Sequence, residues 1–155
     1  MAKERNRDNW TTPDNFWNWV DSFYQFTLDA CADAGNARCF DYLDILQNGL
    51  TTPWKGRVWC NPPFSQAPEW HRKAAGEIYM GNCDLVVVLG HAGVGAEWFQ
   101  THIKEFVPDV YLVSPRVQFD PPVGVKKSSN SRDSMLCVYR SRPAKVPRIE
   151  AIRWQ

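Results

Sequence analysis

The chain has almost no net charge, with 18 Lys and Arg against 17 Asp and Glu over 155 residues. That balance does not indicate a protein that coats polyanions generally, although cations can still cluster locally. Paired cysteine spacing is also missing. Cys31, Cys39, Cys60, Cys83 and Cys137 are odd in number, scattered and without a C-x-x-C, so reduced, mostly buried thiols are expected. His71, His91 and His102 keep no ligand spacing with those cysteines or with one another, which argues against a zinc site or any other metal. No Ser-His or Cys-His arrangement signals a covalent nucleophile. No apolar run approaches the ~20 residues that cross a bilayer, and the charged start Met1 to Asp8 has no apolar signal region, so a cytoplasmic protein without a membrane partner is expected.

What remains is enough for one domain: 155 residues, 44% of them hydrophobic, have room for a proper core. Thr11-Thr12-Pro13-Asp14 offers cap residues and a proline at a helix start, followed by Phe16, Trp17, Val20 and Phe23 at helical spacing. Phe26 to Cys31 reads as a short buried strand ending in Asp29, with a loop over Ala32 to Asn36. Cys39 to Leu46 is ambiguous, and Gln47 to Pro53 reads as a loop. Val58 to Cys60 is a strand, Pro68 to Met80 a helix, and Asp84 to Gly90 an apolar strand of the kind covered on both faces. A helix begins at Ala96, and Val110 to Val113 is a further strand. Arg116 to Phe119 and Met135 to Tyr139 are expected to form a final antiparallel pair around the polar loop Gly124 to Asp133. This alternation predicts a mostly parallel α/β sheet with helices on both faces. The expected division is a polar tail at 1–9, one domain at 10–139, and a basic, proline-containing surface tail at 140–155.

The densest chemistry lies in Asn61-Pro62-Pro63-Phe64, directly after a strand. Each proline fixes φ and lacks an N–H, so the turn is stiff and its carbonyls are free to accept. The Asn61 carboxamide oxygen and a proline carbonyl can together accept both hydrogens of one amino group, aiming its lone pair outward. Phe64 can stack on the ring that carries the amine, a contact worth roughly 1–3 kcal/mol per base. The plainer alternative is a strand-terminating loop, because paired prolines and Asn commonly mark turns. Asp29 has the same two readings. Ligands of open α/β sheets bind beyond the carboxyl ends of strands, yet an Asp there also serves as a cap or turn former.

Trp10-Thr11-Thr12-Pro13, Leu28-Asp29-Ala30-Cys31-Ala32 and Trp59-Cys60-Asn61-Pro62-Pro63-Phe64, in that order, resemble the small phage-type DNA N6-adenine methyltransferases. The likeness runs from Trp10 to about Tyr139. It implies a Rossmann-like class I methyltransferase sheet, S-adenosylmethionine as cofactor with S-adenosylhomocysteine as product, and double-stranded DNA as partner. By this resemblance Thr12, Pro13, Asp29 and Cys31 are cofactor-site candidates, and Asn61, Pro62, Pro63 and Phe64 are catalytic or base-holding. Trp10, beside Thr-Pro, is the tryptophan expected to face a ligand. The family often carries an acid where this chain has Asn48, and Asp44 is the alternative for that contact. A glycine-rich loop, common after the first strand of methyltransferases, is reduced here to Gly35.

The implied reaction flips the target base out of the helix, at a cost of a few kcal/mol of unstacking. Arg72 and Lys73, with Lys126, Lys127, Ser128 and Arg132 in the late loop, are candidates for phosphate contacts, each with a solvated surface as the alternative. Three rival functions stay open: a cytosine N4 amine as acceptor, a protein glutamine as acceptor, or a DNA-binding module with a methyltransferase-like fold and weak catalysis.

Overall fold

A computed structural model of the protein describes residues 9–141 and 145–155. The polar segment expected at 1–9 lies outside these apart from Asn9. The elements are α1 (Asp14–Tyr24), β1 (Leu28–Asp29), β2 (Asp41–Tyr42), β3 (Gly56–Cys60), α2 (Ala67–Tyr79), β4 (Cys83–His91), α3 (Glu97–Phe106), β5 (Asp109–Ser114), β6 (Ser134–Arg140) and β7 (Arg148–Arg153), with a 3-10 turn at Phe64–Gln66. The strands form one sheet in the order β2-β1-β3-β4-β6-β5-β7. β6 runs antiparallel to both neighbours, and every other pairing is parallel.

Alternation along the central strands produces two cores. Val58, Cys60, Val86, Val88, Met135, Cys137 and Tyr139 face one side, where Ala74 and Ala75 of α2 and Phe99 and Ile103 of α3 cover them. Trp59, Leu85, Val87, Leu89, Leu136 and Val138 face the other, under Phe16 and Val20 of α1. β4 is therefore apolar and buried from Leu85 to Gly90 because both of its faces are covered there. Each fully buried Val or Leu contributes about 1.5–3 kcal/mol relative to exposure, so this double burial fixes the sheet that carries the strand ends. Helix α1 stops where Gln25 takes a left-handed φ of 52° and donates to the Asp21 carbonyl. The Asp21 side chain then accepts the Phe26 N–H at 2.8 Å and turns the chain into β1.

Three expectations differ from this fold. Arg116 to Phe119 forms no strand; Val117 and Phe119 bury their side chains without a ladder, and β6 pairs with β4 and β5 instead. The segment expected as a basic surface tail contributes β7, which pairs with β5 over six positions. Trp154, just beyond it, places its ring edge-on to Phe16 at 5.0 Å and donates its indole N–H to the Pro115 carbonyl at 2.7 Å. Finally, Phe23, expected at helical spacing with Phe16, Trp17 and Val20, is exposed, as is Met80 just past the end of α2.

Two close arrangements support the strand ends. A Cβ on Gly49 would lie 2.2 Å from the Ala30 carbonyl oxygen, so the loop before β3 approaches the end of β1 more closely than any side chain permits. On the α2–α3 side, the Tyr139 hydroxyl lies 2.7 Å from both His71 Nδ1 and His102 Nε2. This buried bridge ties both helices to β6.

Candidate active site

The site is built where β1 and β3 end side by side. Asp29 is level with Trp59 in the parallel register, so Asn61, two residues on, stands at the same carboxyl edge as Cys31. The Asn61 carboxamide nitrogen donates to Thr12 Oγ1 at 3.2 Å. With its nitrogen engaged there, the carboxamide turns its oxygen away from Thr12, as an amine acceptor requires. Thr12 is itself buried. Its neighbour Thr11 is fixed to Asp120 by two backbone hydrogen bonds of 2.8 and 2.9 Å, which hold the pre-helix segment against the chain that follows β5.

The prolines shape the next step. Pro62 is buried, and the Pro63 carbonyl accepts the Gln66 N–H at 3.0 Å, winding the turn Phe64–Gln66 that feeds α2. The Phe64 ring is half-buried, 3.7 Å between centroids from His91 and 6.0 Å from Phe119 in an edge-on contact. His91, at the end of β4, thus borders the site and supports Phe64.

Asp29 is almost fully buried, and its carboxylate accepts the backbone N–H of Cys31 at 3.3 Å and of Arg38 at 3.0 Å. Burial raises its pKa to about 6, against the opposing pull of those hydrogen bonds and the Arg38 charge. The carboxylate is therefore a turn former that folds the connection between β1 and β2. Within that connection Asp33 accepts the Gly35 and Asn36 N–H groups at 2.7 and 3.1 Å. Scarce glycine does no conformational harm here, because the left-handed residues among those described all lie elsewhere. Burial also pushes the Cys39 thiol up to about 12 and the Cys60 thiol well above its ordinary value. Both stay protonated and carry no nucleophilic chemistry.

Arg38, which no motif in the sequence singles out, joins these residues. Its guanidinium donates to the Thr12 carbonyl and pairs with Asp14 at 2.6 Å, while its own backbone N–H is held by Asp29. Asp14 and Thr12 lie 24 and 26 residues from Arg38 in the chain. No local pattern marks it; the only signal was a cation in an otherwise acidic and small-residue loop.

The other candidates are placed as follows. Trp10 is half-buried beside α1, and Cys31 packs on the core below the β1 end. Pro13 is buried and caps α1 with an extended backbone. Asp44 folds its own turn, one carboxylate oxygen accepting the Leu46 and Gln47 N–H groups. Asn48 adopts a left-handed φ of 52° and accepts the Leu50 N–H at 3.2 Å, a conformation Asn tolerates better than most residues. Lys73 has an internal partner: it pairs with the buried Glu77 and sits 5.6 Å from the Trp54 ring. Arg72, Lys126 and Arg132 are exposed, Ser128 is half-exposed, and Lys127 pairs with Asp120 at 2.5 Å. Among the described residues, no group of three or more His, Cys, Asp or Glu side chains is placed to hold a metal ion, and no helix is long and apolar enough to cross a membrane.

An open, mostly parallel sheet between helices, with an amide-proline turn beside an acidic strand end, is the α/β architecture of the Rossmann-like methyltransferases. The comparison with known sequences is specific: the family model described as DNA N-6-adenine-methyltransferase (Dam) matches residues 1–151, and the chain belongs to that family. A DNA N-6-adenine-methyltransferase of Haemophilus phage HP1 (strain HP1c1) is 26% identical over 145 residues, covering 91% of this chain and 83% of the relative. The match extends through most of β7, beyond the range over which the likeness was legible in the sequence.

Proposed function

We propose that this DNA adenine methyltransferase takes its methyl group from S-adenosylmethionine and holds a flipped adenine on the Asn61 turn. The observation that carries the reading is the Asn61–Thr12 hydrogen bond, which orients the carboxamide before any substrate arrives. Asn61 Oδ1 and the Pro62 carbonyl accept from the N6 amine, and that nitrogen's lone pair then points at the methyl group. Phe64, backed by His91, offers its ring to the extruded base.

The residues around β1 and β2 fit the proposed cofactor. Asp44 keeps a second carboxylate oxygen for a ribose diol, and Ile45 and Leu46, directly after it, are almost fully exposed apolar side chains suited to a purine face. Asn48 lies in the same loop, and Thr12, Pro13, Trp10 and Cys31 line the approach from α1 and β1. Asp29 contributes by fixing the intervening backbone. S-adenosylmethionine supplies an activated methyl on a sulfonium; the protein's part is alignment, where most of the rate gain of such a transfer lies. Arg72, Lys126, Lys127, Ser128 and Arg132 are assigned to the DNA backbone, whereas Lys73 is engaged with Glu77. The phage relative and the DNA substrate together favour the cytoplasm of a host cell as the place of action.

The test is transfer of labelled methyl to duplex DNA, with the modified base identified, by the wild type and by Asn61→Ala. The variant is expected to lose about a hundredfold or more in turnover, the scale of removing one preorganised transition-state hydrogen bond. Its affinity for S-adenosylmethionine should be unchanged. Turnover near the wild-type rate would overturn the role given to Asn61.

A further inference from the structure

The two halves of the site meet through one side chain. The connection after β1 is held by Asp29, and the same backbone hydrogen bond fixes the root of Arg38 at 3.0 Å. From there the guanidinium crosses to the segment before α1, donating to the Thr12 carbonyl and pairing with Asp14. Thr12 in turn accepts from Asn61. No other contact described above joins the cofactor-side loop to the side chain that grips the amine.

Stability is a poor explanation for this arrangement. The Arg38 side chain is 16% exposed, its partner Asp14 is 85% exposed, and its Nε–H is buried with no hydrogen-bond acceptor among the described residues. An ion pair with one largely solvated partner is worth little, and an unsatisfied buried donor on a charged group is costly. A planar fork that reaches a carbonyl and a carboxylate together does supply geometric precision, which an ammonium would not.

We infer that Arg38 is a positioning residue for methyl transfer: it sets the Thr12 backbone, so that the Thr12 hydroxyl holds Asn61 in the amine-accepting orientation. The inference rests on the role proposed for Asn61. It predicts that the link transmits in one order, Arg38 to Thr12 to Asn61, with no contact between Arg38 and the base.

The test is a double-mutant cycle on kcat with Arg38→Met and Thr12→Val, together with KM for duplex DNA and thermal melting. Arg38→Met is expected to lower kcat roughly tenfold or more, the factor that follows from losing a charge-assisted hydrogen bond, with KM for DNA within about twofold. Thr12→Val, which keeps the carbonyl but removes the hydroxyl, should lose a similar factor. The double variant should lose no more than the worse single one, because both act on the same carboxamide. Arg38→Lys, which keeps the charge but reaches one acceptor at a time, should fall between wild type and Arg38→Met with a nearly unchanged melting temperature. It serves as the variant of record if Arg38→Met does not fold. Unchanged kcat with lowered stability, or losses that multiply in the double variant, would overturn the inference. Normal turnover by Asn61→Ala would instead remove the reading beneath it.

Discussion

Under the proposed function, Asp29 shapes the cofactor side of the site through the backbone it holds. Both of its oxygens accept backbone N–H groups, from Cys31 and Arg38, and an amide cannot reproduce that. In Asp29→Asn one branch becomes an NH2 facing another donor, so the connection to β2 must open. The variant is expected to lose about 1–3 kcal/mol of stability, the cost of an unsatisfied buried group, and most of its affinity for the proposed cofactor, S-adenosylmethionine. Urea melts and calorimetric titration measure the two effects. A proton is expected to act on cofactor affinity, through the local geometry of this turn, even as it favours the folded chain as a whole. Because burial raises the Asp29 pKa to about 6, wild-type cofactor affinity should fall as pH drops through 6, and the Asn variant should show no such step. A flat wild-type profile between pH 7.5 and 5 would mean that the loop does not depend on this carboxylate.

Among the elements, β7 carries the sharpest prediction. It forms the outer strand beside β5, and Trp154 after it packs on Phe16. A chain ending at Pro147 would leave β5 as an unpaired edge and uncover α1. The expected result is a loss of about 3 kcal/mol or more, on the scale of deleting a packed Trp, with a rising tendency to associate through the bared edge. Denaturant midpoints and light scattering distinguish this from a dispensable tail, which would change neither. Sequence did not reveal β7 because edge strands lack a two-sided apolar run; its residues are mostly exposed, and prolines precede it. Arg116 to Phe119 misled for the opposite reason. Its alternating apolar residues mark burial, and burial here comes without a ladder. β4, α2 and the Asn61 turn were legible because their signals are local: a doubly covered apolar run, helical spacing, and rigid prolines after a strand. Arg38 was not, since its meaning lies in Thr12 and Asp14.

Across the whole molecule, acid tests whether the described packing is right. Burial lowers the pKa of His71 to about 3 and of His102 to about 4. The shared Tyr139 hydroxyl can donate to one neutral imidazole and accept from the other; protonating the one that accepts the O–H would set two donors against each other. Between pH 6.5 and about 4 the unfolded chain therefore binds more protons at these two sites, and stability must fall as pH falls. Asp29 works the other way. Its folded pKa is raised from 3.8 to about 6, so its contribution is fully present below 3.8 and is lost as pH rises through 6. Glu77, whose pKa is lowered by its bonds to Lys73, Asn82 and the Trp54 N–H despite burial, adds stability that disappears as pH falls below about 4.5. Two histidines against one aspartate leave a net decline that begins near pH 6.5 and continues to pH 4.5, below which Glu77 adds to it. Urea melts at pH 7.5, 6.5, 5.5 and 4.5 should show it. Tyr139→Phe should lower the whole curve by about 1–3 kcal/mol, since two buried imidazole nitrogens lose their partner, while keeping its slope because both rings stay buried. Stability that rises from pH 6.5 to 4.5 would mean that the imidazoles are solvated and that α2, α3 and β6 do not close around Tyr139.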